Sequence, residues 1–212
     1  MFKILSILFE LFAGLRATLG VNKVVTIFGS ARLRLGHEHY DAAVSVAERL
    51  AKEGYAVLTG GGPGIMEAAN KGAILGGAQS IGCTIKLPFE QQDNGFLNRK
   101  AAFKRFFLRK FVMTRSADAF VVFAGGYGTL DELFEVLTLI QCRKQERPVK
   151  VVLYGSDFWG GLISWLRQVV CGRYKTISGE DIFLFSVVDT VDEAVAAVCA
   201  HSADAVISPA AI

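Results

Sequence analysis

Proline is scarce in this chain: the 212 residues hold four, and none lies in a proline- or serine-rich linker. With no low-complexity tract and no repeat of solenoid period either, nothing divides the chain into several domains or strings it into an array. The four cysteines, Cys83, Cys142, Cys171 and Cys199, stand far apart and form no C-x-x-C pair. That argues against disulfides or a zinc ribbon and for four buried or indifferent thiols in a reducing cytoplasm. A large charge of one sign is missing too, since a net charge of +3 is too small to imply nucleic acid by itself. Residues 1–20 are rich in Leu, Ile and Phe, but Lys3, Glu10 and Arg16 interrupt them and no convincing cleavage site follows. A signal peptide is not indicated, and a membrane span needs about 20 predominantly apolar residues.

What is present is a hydrophobic content of 52%, which suits one globular domain with a substantial core. In residues 1–20, Ile4, Leu8, Leu11, Leu15 and Leu19 recur at helical spacing, while Lys3, Ser6, Glu10, Gly14 and Ala17 form a smaller, more polar strip. This predicts an amphipathic helix whose apolar face covers the domain or a sister subunit, with membrane-surface binding as the minor alternative. Residues 21–200 form the expected single domain and 201–212 a tail without readable chemistry.

Within that domain the pattern alternates. Strands are expected at Val24–Phe28, Tyr55–Leu58, Ser80–Leu87, Ala119–Phe123, Val149–Leu153 and Ile182–Val187. Helices are expected at Tyr40–Lys52, Gly64–Leu75, Thr129–Cys142, Phe158–Val170 and Val191–Ala200. A long loop, Phe89–Asn98, precedes a basic aromatic helix at about Arg99–Arg115. Alternation of this kind implies an α/β fold of three layers with a mainly parallel central sheet, right-handed crossovers placing helices on both faces. Ligands then gather at the carboxyl ends of the strands. The glycine turns Gly29–Ser30, Gly60–Gly64 and Gly125–Thr129 all follow strands, so they share one edge.

The stretch Gly125–Glu132, GGYGTLDE, brings backbone amides, a hydroxyl and a carboxylate to one helix N-terminus. Glycines permit positive φ and bare-backbone contact, and the first helical N–H groups favour a phosphate. Gly125, Gly126, Gly128 and Thr129 are therefore candidate phosphate ligands. Thr129 and Glu132 also stand at the spacing of a capping box, which explains the same residues without a ligand. The second turn, TGGGPGIMEAAN (Thr59–Asn70), repeats the layout and suggests one shared crevice walled by Gly60, Gly61, Gly62 and Gly64, with Ser30 beside them. Neither turn is a dinucleotide fingerprint, because Ile65 and Asp131 replace the third glycine, and neither carries a Walker A lysine. A mononucleotide or sugar phosphate suits them better than NAD or ATP.

The segment Arg99–Arg115 contains seven Lys or Arg and four Phe. Phe103, Phe107 and Phe111 follow at four-residue steps and are expected to form a core stripe. The basic residues fit a solvated face, an interface, or single-stranded nucleic acid. His37 and His39 flank Glu38 without the spacing of a helical zinc motif, and are expected on a surface loop; His201 carries no reading.

Four ordered motifs, FGSAR (Phe28–Arg32), TGGGPGIMEAANKGA (Thr59–Ala73), FFLRK (Phe106–Lys110) and GGYGTLDELFE (Gly125–Glu135), together resemble the LOG family of phosphoribohydrolases, long mislabelled lysine decarboxylases. The likeness runs from about Val24 to Val188 and is closest to a longer bacterial branch with an extra N-terminal helix. It implies a Rossmann-like fold and the cleavage of nucleoside 5′-monophosphates, AMP or cytokinin ribotides, into base and ribose 5-phosphate. It also implies a homodimer, in some members a hexamer, without a cofactor or metal. It places the catalytic pair on Arg109 and Glu132. Ala124 stands where the family has proline, which relaxes a fixed φ and restores a backbone donor.

For that chemistry an ionised Glu132 would stabilise a cationic ribose or orient water, and Arg109 would keep it charged. Lys110 is a weaker crevice candidate. Glu67 either accepts ribose hydroxyl bonds or serves the helix dipole. Glu135 fits a solvated carboxylate and Asp131 a dipole partner. No lysine environment marks a pyridoxal phosphate site. Two other functions fit the same residues less well: a noncatalytic nucleotide or nucleotide-like cofactor carrier, and a nucleic-acid module using the basic segment.

Overall fold

The computed structural model describes residues 2–86 and 93–200. Pro88, Phe89 and the rest of residues 87–92, His201 and the tail at 201–212 lie outside that range. Seven strands form one sheet in the order β4-β3-β2-β1-β5-β6-β7, with every neighbouring pair parallel. They are β1 (Val24–Phe28), β2 (Ala56–Thr59), β3 (Ser80–Ile85), β4 (Arg99–Phe103), β5 (Ala119–Val122), β6 (Lys150–Tyr154) and β7 (Ser186–Val188). The α-helices are α1 (Phe2–Thr18), α2 (Glu38–Lys52), α3 (Ile65–Leu75), α4 (Phe106–Ser116), α5 (Tyr127–Gln141), α6 (Ser156–Trp165) and α7 (Val191–Cys199); α6 runs on as a π-helix over Leu166–Arg173, and a 3-10 turn spans Glu180–Phe183, overlapping the stretch expected as the last strand.

The central strands are apolar on both sides because both sides are covered. Val25, Ile27, Val57 and Val121 pack on α2, α3 and α7, while Val24, Phe28, Leu58 and Phe120 pack on α1, α4, α5 and α6. The result is the expected Rossmann-like three-layer fold. The chain runs outward from β1 through β2 and β3 to β4, then returns to β5 on the other side of β1. The loops after β1 and β5 therefore diverge and leave a crevice at the strands' carboxyl ends.

Two sequence expectations are corrected here. The first part of the supposed basic helix is the edge strand β4, paired from Ile81↔Arg99 to Ile85↔Phe103, with Ala101 and Phe103 facing inward. The four-residue phenylalanine spacing thus spans two elements: Phe103 is buried, whereas Phe107 and Phe111 are 59% and 44% exposed. In α1 it is mainly the small strip that faces the domain, joined by Ile7 and Leu11, which pack against the core, while most of the apolar stripe points away. Gly14 lets the helix approach so closely that a Cβ there would sit 2.7 Å from Phe103 Cζ. Glu10, buried, pairs with Arg105 and accepts the Lys104 N–H at 3.0 Å, and Ser6 accepts from Arg105 at 2.9 Å. Close approach and a charge-assisted pair thereby decide which face turns inward. Leu5, Leu8, Phe9, Phe12 and Leu19 are left exposed, an apolar ridge of the kind that marks interfaces. No described helix is long and apolar enough to cross a membrane.

Candidate active site

The loops after β1, β2 and β5 are tied together by Ser30. Its N–H donates to the Ala124 carbonyl at 3.0 Å, its carbonyl accepts from Ile65 N–H at 3.0 Å, and its Oγ accepts from Arg32 N–H at 3.1 Å. Gly64, at φ +70°, begins α3 so close to Ser30 and Ala31 that a side chain would collide with their backbone. Between these loops lies a cavity of about 610 Å³.

Of the proposed ligands, Ser30, Gly60, Gly62, Gly126, Gly128, Thr129, Arg109 and Glu132 line this cavity. Both glycine turns do share one crevice. Gly61 instead faces Thr84 and Leu97, and Gly125 packs under the Thr129 side chain. Neither Lys110 nor Glu67 lines the cavity: Lys110 lies 3.0 Å from Asp131 and 2.6 Å from Glu135, and Glu67 accepts the Tyr40 hydroxyl at 3.1 Å. Asp131 is the fifth residue of α5, so its partner is Lys110 rather than the helix N-terminus.

The capping box at Thr129 is not formed. The N-cap of α5 is Gly126, three residues earlier, no side chain caps the helix, and its first turn carries no acid. By contrast Thr190 and Glu193 make a complete box on α7. The opening of α5 thus presents its N–H groups and positive dipole end to the cavity. None of Gly125, Gly126 or Gly128 has positive φ, contrary to expectation; Gly126 and Gly128 have open space where a side chain would be. Their value is bare backbone, not turn geometry.

Beside this floor sits the Arg109–Glu132 pair. Arg109, 9% exposed on α4, donates from Nε to the Cys83 carbonyl at 2.8 Å and places Nη1 3.4 Å from Glu132 Oε1. Burial pushes the Glu132 carboxyl up to about 7, and Arg109 opposes the rise without cancelling it. Burial also pushes the Cys83 thiol up to about 12, leaving it an unreactive neighbour.

The cavity is also walled by Gly29, Ala31, Arg32 and Asp93, and by Met66, Thr84, Ile85, Phe106, Tyr127 and Leu130, none of which the sequence marked as a site residue. Met66, Phe106, Tyr127 and Leu130 sit inside the quoted motifs, but Thr84 and Ile85 become visible only once β3 is known to end there. The histidines differ from expectation: His37 caps α2, accepting from His39 N–H at 3.2 Å, and His39 is buried against Phe123 and Tyr154. Nearby, Glu38 and Asp157 stand in the first turns of α2 and α6, where the helix dipoles account for them.

An all-parallel sheet with a glycine-lined crevice at its switch point, an open helix N-terminus and a buried arginine–glutamate pair define a Rossmann-like protein. The family model described as possible lysine decarboxylase matches residues 66–198. A cytokinin riboside 5′-monophosphate phosphoribohydrolase of Oryza sativa subsp. japonica is 32% identical over 150 residues, 70% of this chain and 61% of the relative. One from Arabidopsis thaliana is 31% identical over 148 residues, covering 69% and 68%. The chain belongs to this LOG family, and it spans 61% of the length of the rice relative. Among solved structures, a molybdenum cofactor carrier protein of Chlamydomonas reinhardtii aligns with a TM-score of 0.61 at 23% identity, over 84% of this chain and 96% of that one. That likeness concerns the fold alone.

Proposed function

We propose that this protein hydrolyses the N-glycosidic bond of nucleoside 5′-monophosphates, AMP or a cytokinin riboside 5′-monophosphate, releasing the free base and ribose 5-phosphate. The observation that carries the reading is the juxtaposition of a buried, arginine-paired glutamate with the uncapped start of the helix that bears it. The phosphate docks on the amides that open α5, with Thr129 Oγ1 beside them. Glu132 lies further along the same helix, so a substrate anchored by its phosphate presents its sugar to that carboxylate.

As the base departs, positive charge builds on the ribose, and an ionised Glu132 in a dry site stabilises that charge more than the ground state. The same carboxylate can orient or deprotonate the attacking water. Arg109 holds Glu132 in place and lowers its proton affinity against the effect of burial. Met66, Ile85 and Phe106 offer apolar surface for the base. Lysine decarboxylation through a Schiff base fits poorly, because no lysine lines the described cavity.

The test is incubation with AMP and with adenosine, followed by chromatography for free adenine. Release from AMP well above that from adenosine supports hydrolysis guided by the phosphate. Equal turnover of the two would remove the phosphate assignment. AMP that binds and is recovered intact would favour the carrier reading.

A further inference from the structure

The glycine turn after β2 has a role that ligand contact does not explain. Arg109 Nη2 rests so closely on Gly60 that a methyl group there would overlap the guanidinium, and the remaining close neighbour is the flexible Met66 Sδ. Gly60 is not at positive φ, so the lack of a side chain matters for this contact rather than for backbone conformation. The turn is fastened from behind by a buried polar network centred on Asn70, which is fully buried in α3.

Asn70 Oδ1 accepts from Thr59 Oγ1 at 2.6 Å and from Asn94 Nδ2 at 3.0 Å, while its Nδ2 donates to Ser80 Oγ at 2.8 Å. Thr59 Oγ1 in turn accepts the Gly61 N–H at 2.9 Å. Asn94 completes the fastening by donating from Nδ2 to the Gly62 carbonyl and from its backbone N–H to the Gly61 carbonyl, both at 2.9 Å. An asparagine amide can donate and accept at once, so this pair ties both sides of one turn, and such networks act as a unit.

The geometry points to Gly60 and Asn94 as positioning residues for Arg109: Asn94 clamps the glycine turn, and the bare face of Gly60 seats the guanidinium where it reaches Glu132. Gly60 therefore acts through Arg109 and not simply by making room for a ligand. The kinetic arm of the test rests on the proposed hydrolysis; the spectroscopic arm does not.

In the full-length, nucleotide-free protein labelled with ¹⁵N, the Arg109 Nε–H held by the Cys83 carbonyl is followed by NMR. Gly60→Ala and Asn94→Ala are expected to shift this signal and speed its exchange by about tenfold or more. Asn98→Ala, which removes the bonds to Ser80 N–H and the Ala78 carbonyl at the far end of the same segment, should leave it near wild type. An unchanged Arg109 signal in Gly60→Ala and Asn94→Ala, or an Asn98→Ala effect as large as that of Asn94→Ala, overturns the inference.

With AMP, Gly60→Ala should lower kcat more than it raises KM, and should do far less in an Arg109→Lys background, a non-additivity expected of residues acting through one another. Equal losses in both backgrounds would mean that Gly60 only makes space, and would also overturn the inference. If the wild-type protein releases no adenine, the hydrolytic reading fails while the Arg109 signal still decides this one.

Discussion

Replacing Glu132 by Gln keeps the shape of the side chain and removes its charge, and its consequences can be worked out from the burial of the site. If the carboxylate stabilises a cationic transition state or activates water, adenine release from AMP should fall by at least ~100-fold. Binding of AMP should stay near wild type, because the amides that open α5 do not depend on this side chain. A second effect is thermodynamic. Burial raises the Glu132 pKa from 4.5 to about 7, so the folded protein holds this proton to higher pH than the unfolded chain. The stability tied to that proton is fully present below the unfolded pKa and is lost as pH rises through the folded one. Wild-type stability should thus decline relative to Glu132→Gln by about 3 kcal/mol between pH 4.5 and 8. Chromatography of adenine at pH 8 and urea unfolding of both proteins across this range make the two measurements. A Glu132→Gln protein that turns over AMP normally would refute the catalytic role, and parallel stability curves would refute the buried, proton-holding carboxyl.

Other outcomes follow from the same geometry. Arg109→Ala removes the charge that opposes the burial of Glu132, so the carboxyl should titrate above 7 and any activity that needs its ionised form should move to higher pH, read from a pH–rate profile. Thr129→Val takes a hydroxyl from the phosphate floor and should weaken AMP about tenfold while leaving adenosine unaffected, measured by calorimetry. The exposed ridge of α1 should mediate self-association. Light scattering should show at least a dimer for the full chain and a shift toward monomer for Phe9→Glu/Phe12→Glu, and a wild-type monomer at micromolar concentration would contradict this.

The sheet was legible wherever the strands are covered on both faces, since Ala119–Val122 is apolar throughout, Val24–Phe28 is apolar but for Thr26, and both lead into glycine turns. Those turns gave away the crevice, and the family motifs implied its arginine and glutamate. Misreadings arose where a local pattern competed with a distant partner. Thr129 and Glu132 have the spacing of a cap, but α5 begins before them and leaves its first amides open. Glu10 looks like the solvated side of α1 until Arg105, far along the chain, draws it inward and leaves Leu5, Leu8, Leu15 and Leu19 exposed. Phe103, Phe107 and Phe111 mimic a helical stripe across the strand-to-helix break at Lys104–Arg105. No local signal shows that Asn70 and Asn94 meet, because that contact depends on the packing of α3 against the segment leading into β4.

The central claim is tested most directly by following AMP and wild-type protein from pH 5 to 9 while measuring both products. Free adenine and ribose 5-phosphate should appear in equal amounts, at a rate that climbs as Glu132 ionises around pH 7 and then levels off. AMP that remains intact at every pH, or adenine released at a rate indifferent to pH across that range, would contradict a hydrolysis carried by this carboxylate.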